Sequence, residues 1–136
     1  MRKRTRAREL ALQMLYQLDA RGDDAWDLVD PMLQREEPGA DDVHEFAREL
    51  IRGTMDKRDE IDVLLKDAAQ NWQLHRMAVV DRNILRMAVF EMMNLDAVPT
   101  KVTINEAIEL GKRFSTKQSG SFINGILDRI RREQDL

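Results

Sequence analysis

Five of the first eight residues are cations, Arg2, Lys3, Arg4, Arg6 and Arg8, with no acid among them. Positive charge at a helix start opposes the helix dipole, so local stability does not account for this cluster and an external polyanion does. Were about five such groups to meet phosphates of single-stranded RNA, counterion release would give a log–log salt slope of about −3.5. That is about a hundredfold loss of affinity between about 50 and about 200 mM salt. Backbone attraction of this kind carries little sequence preference; reading unpaired bases takes flat side chains on which they stack. Tyr16, Phe114 and Phe122 are the candidates, and each has an equally good alternative as core packing. Trp26 and Trp72 lean further toward the core. Ser115, Thr116, Ser119 and Ser121, around Gly120, could donate to a phosphate at the start of the last helix, or Ser119 could simply cap it.

Other chemistries are poorly supplied. With no cysteine, the chain has no disulfide, thiolate metal site or thiol nucleophile, and a reducing compartment, the cytoplasm, is the natural setting. His44 and His75 are far apart and fall in no metal-ligand spacing, so no metal is expected. Carboxylates such as Glu106 and Glu109 sit at helical spacing where ion pairs and solvation explain them, which leaves catalysis unsupported. Gly53, Gly111, Gly120 and Gly125 match neither nucleotide-binding glycine pattern, so no cofactor is expected. Apolar runs are only a few residues long, and neither a signal peptide nor a membrane span is expected.

The elements that must position these side chains are helices. The 136 residues, 43% hydrophobic and 35% charged with six Gly and three Pro, suit one compact domain over 1–136 and favour helix throughout. The net charge of −3 is polarised, since residues 19–49 hold eleven acids against three arginines and would repel a polyanion that the N-terminus attracts. Periodicity predicts a first helix over 5–21, with Arg2, Arg6, Glu9, Gln13 and Gln17 in one narrow polar stripe and apolar residues around the rest. A short amphipathic helix carrying Trp26, Leu28, Val29, Met32 and Leu33 follows Gly22 and stops before Pro38-Gly39. One long helix is expected from Asp41 or Asp42 to about Ala68, with a defect at Gly53. Further helices are expected over about 79–95, about 101–114, and after the polar turn at 115–120 through Phe122, Ile123, Ile126, Leu127 and Ile130. No strand alternation and no repeat is present.

Four segments then stand out together: Arg6-Ala7-Arg8-Glu9-Leu10-Ala11-Leu12-Gln13-Met14-Leu15-Tyr16; Asp81-Arg82-Asn83-Ile84-Leu85-Arg86-Met87-Ala88; Val98-Pro99 through Ile104-Asn105-Glu106-Ala107-Ile108-Glu109-Leu110; and Ser119 through Phe122-Ile123-Asn124-Gly125-Ile126-Leu127-Asp128. In order and spacing, across nearly the whole chain, they resemble the NusB family of transcription antitermination factors. The resemblance implies an all-α bundle of two packed three-helix subdomains. It implies a non-enzymatic role: binding the boxA element of nascent RNA together with NusE, a small-subunit ribosomal protein, and joining an RNA polymerase complex that suppresses premature termination in ribosomal RNA operons. Carried over residue by residue, it places RNA contacts at Arg4, Arg6, Arg8, Tyr16, Arg86, Phe114 and Phe122, and a shared NusE and RNA edge at Asp81 and Arg82. Many relatives carry an acid in the loop before the last helix where this chain has Gln118, so a contact needing negative charge there is not carried over.

Two other classes remain open at this point. A similar helical domain precedes the catalytic domain of some RNA cytosine-5 methyltransferases; this sequence holds no second domain and no thiolate for that chemistry. Alternatively the chain is an oligomerisation module whose arginine face is buried against a twin, so a homodimer stays open beside a monomer.

Overall fold

The structure, a computed structural model, describes residues 3–70 and 73–136, so Arg2 and Trp72 lie outside the described residues. The described residues form helices and turns only: α1 Lys3–Arg21, a 3-10 turn Gly22–Leu28, α2 Val29–Glu36, α3 Asp41–Asp56, α4 Arg58–Ala69, a short 3-10 turn Leu74–Arg76, α5 Val79–Asn94, α6 Thr100–Phe114 and α7 Ser119–Glu133. Helices α1 to α3 pack on one another as one half, α4 to α7 as the other, and α5 joins them by lying against both α1 and α3. Among the described residues, no helix is long and apolar enough to cross a membrane.

The expected all-helical, two-part bundle is present, with two corrections to its elements. Residues 41–69 form two helices, divided at Lys57 (φ −105°, ψ 14°), and the break is four residues after Gly53. Asp59 and Glu60 in the first turn of α4 favour a fresh helix start there, because acids complement the positive end of the helix dipole. Gly53 has another purpose: a Cβ built on it would lie 2.0 Å from Cζ of the buried Phe90 ring on α5, so the missing side chain is what lets α5 approach α3. The second correction is that residues 22–36 are split into a 3-10 turn and α2. Gly22 (φ +78°) supplies the left-handed turn that ends α1.

Helix α1 is the axis of the molecule. Ala7, Leu10, Ala11, Leu15 and Leu18 are buried, and of the predicted polar stripe Arg6, Gln13 and Gln17 reach the surface while Glu9 is buried. That stripe runs between α2 on one side and the end of α6 on the other.

Candidate nucleic-acid interface

A cleft of about 540 Å³ opens along the α1 stripe. Glu9, Gln13, Tyr16 and Gln17 of α1 line its floor, Leu28, Pro31, Met32 and Arg35 one wall, and Val80 and Phe114 the other. Tyr16 and Phe114, distant in sequence, each expose 42% of their surface and line this one cleft. Exposed rings in a partly apolar cleft offer faces on which unpaired bases can stack. Arg21 and Arg35 stand on the rim. Arg113 joins Phe114 from the same helix end, its guanidinium carbon 5.0 Å from the ring centroid, and it forms an ion pair with Glu9.

Phe122 is half-buried against the core and lines a neighbouring pocket of about 270 Å³ with Arg76, Asp81, Thr116 and Ser119. The start of α5 separates the two openings, Val80 lining one and Asp81 the other. Asp81 Oδ2 accepts a hydrogen bond from Ser119 Oγ at 3.2 Å, while its Oδ1 has no partner among the described residues. Ser119 therefore caps nothing and does not face solvent. It ties the loop before α7 to α5, accepting from the Thr116 backbone N–H at 3.2 Å.

The arginines are distributed otherwise than their positions in the sequence led one to expect. Arg8 is 2% exposed: its Nε and Nη2 donate to Glu91 at 2.9 and 2.7 Å, and its Nη1 donates to Glu106 at 3.2 Å. Arg86 is likewise buried, donating from Nε and Nη2 to Asp62 at 2.8 and 2.9 Å and from Nη1 to Asp19 at 3.3 Å. Both of these expected phosphate contacts are engaged in internal ion pairs and lie outside the cleft. Arg82 gives Nε and Nη2 to Asp19 at 3.0 and 2.8 Å, so it too braces the bundle. Burial works to raise the Asp19 pKa, but hydrogen bonds from Arg82 and Asn83 and the charges of Arg82 and Arg86 outweigh it and hold Asp19 below the ordinary carboxylate range.

Arg6 is shared among Glu9, Glu36 and Glu37 at 3.3 to 3.6 Å, at the upper end of the cleft stripe. Arg4 lies elsewhere, 4.3 Å over the Phe46 ring, and Lys3 pairs with Asp42. Both, with the buried Arg8, line a different groove, of about 890 Å³, together with Asp42, Glu45, Glu49 and Glu106. Three cations against four carboxylates leave that groove no net positive charge to draw a polyanion.

The cleft thus gathers Tyr16 and Phe114, borders Arg6, adjoins the Phe122 and Asp81 pocket, and excludes Arg4, Arg8 and Arg86. Sequence reasoning did not single out Arg21, Arg35 or Arg113 as site residues. The one signal pointing to them was the polar stripe, since whatever packs beside Glu9, Gln13 and Gln17 becomes the wall of a polar cleft.

Comparison with known proteins gives a consistent picture. The model of the NusB family matches residues 5–132. A transcription antitermination protein NusB of Geobacter sulfurreducens is 48% identical, covering 96% of this chain and 94% of its own length. The solved structure of T. maritima NusB superposes with a TM-score of 0.86 at 39% identity, over 96% of this chain and 91% of that one. A crystal structure of the antitermination factors NusB and NusE in complex with double-stranded RNA contains a chain 27% identical to this one, with a TM-score of 0.88 and 98% of both chains covered.

Proposed function

Because the chain belongs to the NusB family, we propose that it is a non-enzymatic transcription antitermination factor of the cytoplasm, binding boxA-type single-stranded RNA of nascent ribosomal RNA transcripts together with NusE. The observation that carries this reading is the meeting of Tyr16 and Phe114 in one cleft that Arg21 and Arg35 also line, with Arg113 held beside it against Glu9 and Phe114. Unpaired bases stack on the rings, and the rim arginines take the adjoining phosphates. Phe122 extends the track past the start of α5, where Asp81 lines the same pocket and marks the edge that RNA shares with NusE. A relative that assembles with NusE and RNA supports the same two partners. Docking of the NusE pair onto RNA polymerase completes the antitermination complex.

A masked homodimer loses its motive. The arginine face invoked for a twin subunit is neutralised within the chain, Arg8 by Glu91 and Glu106 and Arg6 by Glu9, Glu36 and Glu37, so a monomer is the active unit proposed here.

The test is binding of boxA and scrambled RNA of equal length, with and without NusE. Tighter binding of boxA is expected once NusE is present, and Tyr16→Ala or Phe114→Ala should lose about tenfold, because stacking contributes about 1–3 kcal/mol per base. Both rings are exposed, so neither change should disturb the fold. Equal affinity for the two RNAs in the presence of NusE would leave only polyanion binding.

A further inference from the structure

The buried ion pair at the cleft floor points to a phosphate-binding site at its mouth. Glu9 is 5% exposed, yet it lines the cleft and serves two helices at once: Oε1 accepts from Arg6 of α1 at 3.3 Å, and Oε2 accepts from Arg113 of α6. Glu36 and Glu37 also hold Arg6, so the cation of this group with donors to spare is Arg113. The Arg113 side chain is 53% exposed and gives Glu9 only Nη1. A guanidinium has five N–H donors in a planar fork, so the remaining edge is free to grip a phosphate bidentately.

The other rim cations lack such an anchor. Among the described residues Arg35 reaches only Glu36, its immediate neighbour in the chain, at 3.3 Å. Arg113 is therefore the rim cation whose place is fixed before any ligand arrives, and a group held in its bound position loses less freedom on binding. Its guanidinium lies over one face of the exposed Phe114 ring. One nucleotide can then lay its base on the other face while its phosphate meets the arginine.

We propose that Arg113 is the RNA-backbone phosphate site of the cleft and that Glu9 is a positioning residue that aims it. The proposal rests on the RNA-binding reading above and adds the residue pair that fixes where a phosphate sits.

The test uses the full chain and a 12-nucleotide unpaired RNA containing boxA, with affinity followed across a salt series. Arg113→Ala is expected to weaken binding about tenfold at about 50 mM salt and to make the log–log slope shallower by about 0.7, the contribution of one single-strand phosphate. Arg113→Lys should restore the slope but only part of the affinity, since an ammonium keeps the charge and lacks the fork. Glu9→Gln should bind several-fold more weakly at an unchanged slope, because the cation stays and its aim is lost. Arg132→Ala, on α7 and lining none of these openings, is the control that should change nothing. An unchanged slope in Arg113→Ala, with the wild type binding normally, overturns the phosphate site alone. Tighter binding by Glu9→Gln would mean that Glu9 competes with RNA for Arg113, and overturns the positioning role. Failure of the wild type to bind removes the reading of the cleft and this inference with it. Circular dichroism monitors folding, and should Glu9→Gln unfold, the Arg113→Ala and Arg113→Lys pair still decides.

Discussion

Burial decides what an arginine can do, and Arg8 and Arg113 show the two outcomes. Arg8 lies between Glu91 and Glu106, and Glu91 itself is 1% exposed, touched also by Thr103 Oγ1 at 3.4 Å. Removing one member of such a pair leaves the other charge buried without compensation, which costs about 3–5 kcal/mol. Arg8→Met should lose stability on that scale in urea unfolding, and the double variant Arg8→Met with Glu91→Leu should recover most of it by converting the pair into apolar packing. A loss under about 1 kcal/mol in the single variant would show that Glu91 finds another partner. The sequence displays Arg8 as one of five N-terminal cations and gives no sign that Glu91, 83 residues away, covers it. Charge is legible at the level of residue type, whereas its neutralisation across helices depends on packing that periodicity does not encode.

At the scale of elements, the helices were readable because they carry regular apolar faces and all but α7 are bounded by Gly, Pro or an acidic first turn. The ends of α1, α5 and α6 fall within about two residues of their expected places, inside the ordinary spread of helix boundaries. Gly53 misled for a physical reason. A glycine inside a helix weakens it by about 1 kcal/mol and so suggests a break, but the same absence of Cβ permits close approach of another element. Here the second effect wins, with the Phe90 ring occupying the space. Gly53→Ala should therefore destabilise the protein despite the better helix propensity of alanine, by about 1–3 kcal/mol, the usual cost of overpacking. Adding Phe90→Leu should relieve part of that loss. A stabilised Gly53→Ala in thermal unfolding would show that helix α5 can move away freely, and that the glycine is there for some other cause.

For the whole molecule, the question is how much of the N-terminal charge faces the ligand. Family membership and the helical bundle were legible from four segments of sequence; the surface was legible only in part, because Tyr16 and Phe114 do meet while Arg4, Arg8 and Arg86 point to other partners. That redistribution has a measurable consequence. Five N-terminal phosphate contacts would give a slope of about −3.5, but the cleft offers three arginines, Arg21 and Arg35 in its lining and Arg113 beside it, whose neutralisation gives about −2. Affinity of this chain alone for unpaired RNA should accordingly fall about twentyfold between about 50 and about 200 mM salt, well short of a hundredfold. The charge-balanced groove that holds Lys3, Arg4 and Arg8 should contribute nothing, so Arg4→Ala should leave the slope unchanged while Arg35→Ala should reduce it. A slope near −3.5 that Arg4→Ala diminishes would return the RNA to the N-terminal arm and empty the cleft of its role. With NusE bound the slope should steepen, because a second protein brings its own cations to the same strand, and the difference between the two slopes counts the phosphates that the partner neutralises.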